Sequence, residues 1–196
     1  MKKILLLLLL FSVFSGYSQN IDIKLLKYIN LNRNEHLDGF FRGVTNSASP
    51  VAFGTPVILY GIGFLKKDTD IKKNALYIGA SVVTASVVST ISKKSIKRTR
   101  PFNTYPDIEK VTSGGSYSFP SGHTSDAFAL ATSVTLAYPK WYVYVPAFAW
   151  AGAVGYSRMD LGVHYPSDVL MGAVTGAGSA YLCYKAQHWL NKKRKR

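Results

Sequence analysis

The stretch YSFPSGHTSDAF, residues 117–128, decides how the chain is read. Pro120 and Gly122 interrupt any helix that precedes them, and hydroxyl side chains, His123 and Asp126 follow. An apolar run begins at once, at Ala127. Proline and small hydroxyl residues at such an edge are the signature of a helix start. His123 is then either polar trim on a cap or a group with chemistry to do.

Outward from that edge, the same alternation recurs. Five segments carry no charge: 43–65, 74–92, 127–139, 141–157 and 169–184. Most are near the length that spans a bilayer, and the third is short. They are rich in Gly, Ala, Ser and Thr, which lets helices approach closely inside a membrane. The reading is an all-α helical bundle, a polytopic membrane protein with five spanning helices. Composition agrees: 47% of residues are hydrophobic and 17% charged, below the usual quarter. A soluble domain of very apolar helices is the competing reading, kept open by a mean hydropathy of only +0.06.

The first 20 residues, MKKILLLLLLFSVFSGYSQN, read as a secretory signal peptide over 1–18. Lys2 and Lys3 precede an apolar stretch of 4–14, and Gly16 and Ser18 stand at −3 and −1 of a cut before Gln19. An uncleaved anchor would make six spans. Either way, residues from 20 onward begin outside the cytoplasm. Segment 19–42 is amphipathic, with Ile21, Leu25, Leu26, Ile29, Leu37, Phe40 and Phe41 at helical spacing. It suits a membrane surface or the flank of the bundle. His36 within it reads as a surface residue.

Charge fixes the orientation. The loop KKDTDIKK (66–73), Lys140 and the basic tail 188–196 fall on one side of the bundle. The positive-inside bias makes that side cytoplasmic. The links 93–126 and 158–168 then fall outside together. The first of these is also basic, against the bias, so its cations need another purpose. The net charge of +14 suits anionic head groups or phosphorylated substrates. No nucleic-acid signature accompanies it. Cys183 stands alone in an apolar run and reads as an inert thiol.

The two outward links hold the unusual polar residues. KKSIKRTRP (93–101) supplies Lys93 and Arg100, PSGH (120–123) supplies Ser121, Gly122 and His123, and SRMDLGVHYPSD (157–168) supplies Arg158, His164 and Asp168. Three cations facing one pocket repel unless an anion lies between them, and guanidinium groups grip phosphate oxygens in pairs. Gly122 lets a backbone N–H approach that anion at a helix start. His164 and Asp168, four apart, share a face if the segment is helical, so the carboxylate can fix the imidazole tautomer. A histidine so held can attack phosphorus, and His123 can protonate a leaving oxygen. Each piece alone also has a bland reading, as a turn, a solvated basic loop or a structural polar pair.

Together the pieces resemble the three signature motifs of the type 2 phosphatidic acid phosphatase and vanadium haloperoxidase superfamily. Lys93, Arg100 and Pro101 match the first, Pro120 to His123 the second, and Ser157, Arg158, His164 and Asp168 the third, with the family's order and spacing. The resemblance covers about residues 43–187, the expected domain. It implies a helical bundle with the site at one end. His164 would be the nucleophile, Asp168 its orienting group and His123 the general acid. Lys93, Arg100, Ser121, Gly122 and Arg158 would hold the phosphate. It implies neither cofactor nor metal, and His36 and His188 lie far from the motifs. The implied partner is a phosphorylated lipid in the inner membrane, met on the periplasmic side. Phosphatidic acid, phosphatidylglycerol phosphate, a polyprenyl diphosphate and a lipid A phosphate all fit. A soluble periplasmic acid phosphatase, a vanadate-dependent haloperoxidase and a non-catalytic anion-binding protein are the alternatives. Lys94, Lys97 and Arg98 read as charges that flank the first motif, and Asp126 and Asp160 have no assigned role.

Overall fold

The computed structural model describes residues 21–194, so the signal peptide read over 1–18 lies outside the described residues. All of the regular secondary structure among the described residues is helical. Helix α1 covers 21–31 and is followed by a 3-10 turn, Glu35–Leu37. Then come α2 (Asp38–Leu65), α3 (Thr69–Ile96), the short α4 (Pro101–Thr104), α5 (Gly122–Ala137), α6 (Trp141–Asp160) and α7 (Pro166–Arg194).

Local chemistry sets these boundaries. Asp68 caps α3, accepting from the backbone N–H groups of Asp70 and Ile71 at 2.9 and 3.0 Å. Lys97 ends α3 in the left-handed conformation. Proline opens α4 and α7, where its missing N–H costs nothing. Pro50, Pro56 and Pro146 lie inside helices instead. Helix α5 does begin at the PSGH edge, with Ser121 at the N-cap. The Ser121 hydroxyl does not cap it: it accepts from Thr124 Oγ1 at 2.8 Å.

The long helices alternate in direction. Links 66–68 and 138–140 lie at one end, and links 97–121 and 161–165 at the other, so the two polar links meet as the charge pattern predicts. Helix α5 is central and packs on α2, α3, α6 and α7. The interior is built from small residues: Ala48, Ala52, Ala75, Ala85, Ala127, Ala129, Ala131, Ala151 and Ala180, with Ser81, Ser125 and Ser133. Gly172 and Gly176 lie one turn apart on α7 against α5. A Cβ on Gly172 would sit 2.7 Å from the Ser121 carbonyl oxygen. One on Gly176 would collide with the Ser125 carbonyl oxygen and stand 2.7 Å from Ala129 N. That is the small-xxx-small approach of membrane helices.

Many of the large apolar side chains point outward. Val57 is 71% exposed and Leu65 81%, and Leu76, Val83, Ile91, Val145, Leu170 and Leu182 are exposed as well. A soluble domain buries such residues; an outer face this apolar belongs in a bilayer. Glu35–Leu65 and Thr69–Thr104 are long and apolar enough to cross one. Helix α5 has 16 residues, about 24 Å at 1.5 Å per residue, which is short of a full hydrocarbon core.

Helix α1 packs on the polar links. Ile23 and Leu26 of α1 are buried with Ile108 and Tyr165. Asn30 is fully buried: its amide donates to the carbonyls of Glu109 and Asp160 at 3.0 and 2.8 Å and accepts from Glu109 N at 2.8 Å. Asp160 is therefore a buried helix-end residue whose carbonyl anchors α1. Gly162, at φ +72, turns the chain directly after it, where a Cβ would strike the Glu109 carbonyl.

The α5–α7 seam predicts that Gly176→Ala lowers stability by about 1–3 kcal/mol through overpacking. Gly178→Ala, where a Cβ meets nothing within 4 Å, should be neutral or slightly stabilising. Thermal unfolding of both variants in detergent provides the comparison.

Candidate active site

The third motif folds into a tight wrap. The N–H groups of Val163 and His164 both donate to the Arg158 carbonyl at 3.1 Å, which sets His164 beside the end of α6. Pro166 then starts α7, because the residue before a proline avoids the helical region. His164 and Asp168 are thus not two positions on one helix face. Asp168 sits in the first turn of α7 and reaches back to the link. Its Oδ2 accepts from Tyr165 N at 3.0 Å and lies 3.3 Å from His164 Nδ1. The pairing expected from the spacing forms, by a different local geometry.

The tautomer of His164 follows from its neighbours. Arg100 Nη1 lies 3.2 Å from His164 Nε2. A guanidinium can only donate, so Nε2 is the unprotonated nitrogen and Nδ1 carries the hydrogen toward Asp168. Ser118 adds to this end: its hydroxyl donates to Asp168 Oδ2 in a very short bond and lies 3.4 Å from His164 Nδ1. His164 is 1% exposed and Asp168 fully buried. Burial holds the His164 imidazole well below its ordinary range; the Asp168 hydrogen bond opposes this, and the Arg100 charge adds to it. The ring is neutral with an open lone pair on Nε2.

The three cations come together at this end, held by backbone carbonyls of segment 113–118. Arg100 Nε donates to Ser116 O at 2.7 Å, Lys93 Nζ to Tyr117 O at 2.7 Å, and Arg158 Nη2 to Ser113 O at 3.2 Å. Arg100 also donates to Val163 O, and Arg158 Nη1 to Thr45 Oγ1 at 2.6 Å. Arg158 is 2% exposed, yet its Nε–H has no partner. Like charges held by neutral carbonyls and a hydroxyl, with one donor idle among the described residues, form a ready site for an anion. Gly114 is part of this arrangement: a Cβ there would come within 3.2 Å of Arg100 Nη1.

His123 enters from α5. It lines a cavity of about 420 Å³ together with Lys93, Gly122 and Ser116. Its ring has no hydrogen-bond partner among the described residues. Burial holds its imidazole down at about 4, and Arg158, Arg100 and Lys93 act in the same direction. Gly122 opens α5 beside Lys93, so its backbone N–H lies in the helix's unpaired first turn. The hydroxyl of Ser121 is fully buried against Thr124, and Ser121 N donates to Asp168 O at 2.9 Å. Ser121 therefore fastens α5 to α7 and lines neither polar cavity beside the site.

Three contributors escape a motif-based reading. Ser118 and Thr45 carry no sequence signal beyond their hydroxyls. Arg98 does carry one, a charge two positions before Arg100, but it reads as a flanking charge, and the structure corrects that. Arg98 Nη1 donates to Asp168 Oδ1 and Ser167 Oγ, both at 2.7 Å, and Nη2 to Asp22 Oδ2 at 2.7 Å. Its guanidinium stacks 3.8 Å from the centre of the Tyr165 ring. Asp22 in turn accepts from Ser167 N and Oγ at 2.8 and 2.5 Å. Helix α1 is thereby tied to the carboxylate that holds His164. Lys94 and Lys97 are exposed, as flanking charges would be.

A family model for the PAP2 superfamily matches residues 74–192. The chain is 32% identical to an undecaprenyl-diphosphatase of Sulfolobus acidocaldarius, over 90% of this chain and 87% of that one. It is 27% identical to a lipid A 4'-phosphatase of Bacteroides thetaiotaomicron, over 89% and 80%. Among solved structures it resembles a transmembrane PAP2-type phosphatidylglycerolphosphate phosphatase from Bacillus subtilis. That match has a TM-score of 0.74 and 28% identity, and covers 93% of this chain and 92% of that one. These relatives act on phosphorylated lipids. With its three motifs converging at one cation-lined end of the bundle, the chain belongs to the PAP2 superfamily and is a phosphatase that hydrolyses phosphate ester bonds.

Proposed function

We propose that this protein removes phosphate from a lipid phosphate or diphosphate at the periplasmic face of the inner membrane, through a phosphohistidine on His164. The observation that carries the reading is the state of His164: neutral, with Nε2 open and facing Arg100, and Nδ1 held by Asp168. The apolar outer face favours a lipid substrate over a soluble phosphomonoester, because a site at the bundle's end meets head groups. The five charge-free runs are its membrane spans, with α5 the shortest. The orientation rests on Lys66, Lys67, Lys72, Lys73, Lys140 and Lys192, all at the end opposite the site.

The chemistry follows from the geometry. The phosphoryl group lies among Lys93, Arg100, Arg158 and the Gly122 N–H. Its charge replaces the carbonyls of 113–118 as their partner and draws Arg100 off Nε2. The His164 lone pair forms the P–N bond as the P–O bond to the leaving group breaks. His123 passes its ring proton to the departing oxygen. Water then attacks phosphorus, the P–N bond breaks, His123 takes the water proton, and inorganic phosphate leaves. A low His123 pKa in the empty site suits this cycle. The incoming phosphate offsets the cations that suppress it, so the acid is charged only when substrate is present.

His164→Ala should abolish phosphate release and the acid-labile label left on the protein by a radioactive phosphoryl donor. His123→Ala should cost about 10²–10⁴-fold on an alkyl leaving group and far less on p-nitrophenyl phosphate, whose leaving group needs no proton. Arg98→Ala should lower kcat about tenfold or more with KM little changed, because it frees one oxygen of Asp168, and Arg98→Lys should restore part of the loss.

Anion binding should also be proton-linked. Sulfate stays a dianion over the relevant range, so its charge does not confound the measurement. A bound dianion raises the His123 pKa above about 4. The bound state then holds the proton more tightly, so sulfate affinity should rise as pH falls from the bound-state pKa toward about 4. The gain is about tenfold for each unit by which the pKa is raised. Isothermal titration in detergent reads this, and His123→Ala should flatten the dependence.

A further inference from the structure

The cavity beside His123 continues past the phosphate site. On α3, Ser86, Ser89, Thr90 and Lys93 lie at i, i+3, i+4 and i+7, one face over two turns, about 10 Å long. Gly122, His123 and Asp126 of α5 line the facing wall. Lysine stands at one end, and hydroxyls and a carboxylate at the other. Asp126 is 7% exposed; Ser86 Oγ donates to its Oδ1 at 2.6 Å, and its Oδ2 has no partner among the described residues. Ser89 is 2% exposed, and its buried hydroxyl has no partner either. An unpartnered carboxylate oxygen and a buried unpartnered hydroxyl in one cavity are groups that a ligand hydroxyl satisfies, since it donates to one and accepts from the other.

We infer that this cavity is a leaving-group subsite for a neutral, hydroxyl-bearing head group, a glyceryl or sugar moiety, with Asp126 and Ser89 as its specificity determinants. The inference rests on the phosphatase reading above and narrows its substrate class. His123 stands between the lysine end and the carboxylate end, so the group whose oxygen it protonates lies toward Asp126. A second phosphate there would meet the Asp126 carboxylate and be repelled. A cationic head group would meet Lys93 and Lys94 in the same cavity. A neutral polyol meets neither penalty.

Three lipids in detergent micelles test this with the full chain: phosphatidylglycerol phosphate, its analogue with propanediol in place of the phosphorylated glycerol, and farnesyl diphosphate. The protein should hydrolyse the hydroxylated lipid with a kcat/KM about tenfold or more above that of the deoxy analogue and should disfavour the diphosphate. Asp126→Asn and Ser89→Ala should each shrink the hydroxyl-to-deoxy ratio toward one. Ser89 has no internal hydrogen bond to lose, so Ser89→Ala should fold even if Asp126→Asn does not. Equal turnover of the hydroxyl and deoxy lipids overturns the inference, and so does discrimination that both folded variants retain. Preferred turnover of the diphosphate, unchanged by Ser89→Ala, also overturns it while leaving the phosphatase reading intact. If no lipid yields phosphate in a His164-dependent way, the phosphatase reading fails and takes the inference with it.

Discussion

The Asp168 carboxylate is fully buried at the meeting point of four chain segments, and the site takes its shape from satisfying it. Arg98 holds one oxygen; Ser118, the Tyr165 N–H and the His164 ring converge on the other. Burying a carboxylate without partners is costly, so these segments cannot relax independently. The Asp168 carbonyl also accepts from Ser121 N, which fixes the start of α5 beside α7. Through Arg98 the same carboxylate reaches Asp22 and so recruits α1. One acidic side chain thus aligns the histidine, the link after α3, the entry to α5 and the N-terminal helix.

That alignment requires helices that approach closely. The α5–α7 seam has no room for a Cβ at Gly172 or Gly176, and alanines and serines are frequent in the rest of the interior. Within a bilayer, lipid tails offer large side chains as good a home as a protein core, so size gives no inward driving force. Many Leu, Ile, Val and Phe side chains therefore face outward, while Ile78, Val82, Leu130 and Val154 pack inside among small residues that let backbones touch. Short separations between α3, α5, α6 and α7 are what bring Lys93, His123, Arg158 and Asp168 to one end of the bundle.

The site is electrostatically poised. Its cations are held by neutral carbonyls of 113–118, and both imidazoles are kept neutral by burial and by those cations. Under the mechanism we propose, a phosphate reverses each condition at once: it gives the cations a true counter-charge and lets His123 take a proton. Arg98 differs from Lys93, Arg100 and Arg158, since Asp22 and Asp168 already neutralise it. That separates a cation that positions Asp168 from three that carry no carboxylate partner of their own.

The linear sequence alone determined the helical class, the alternation of apolar runs with charged links and the three motifs. These follow from composition and short spacings, which act locally along the chain. It also marked the start of α5, because Pro120 and Gly122 punctuate the backbone whatever surrounds them. It did not reveal that Arg98 is structural, that Ser121 faces Thr124, or that Ser118 and Thr45 serve the site. Their partners lie between 46 and 113 positions away, apart from Thr124, and nothing in their residue type names a partner. His164 and Asp168 show the division most plainly. Their spacing announced a pair, but a helix face was the wrong route to it. Only the tertiary structure, in which Pro166 starts α7 and the carboxylate turns back to the link, decided how the two meet.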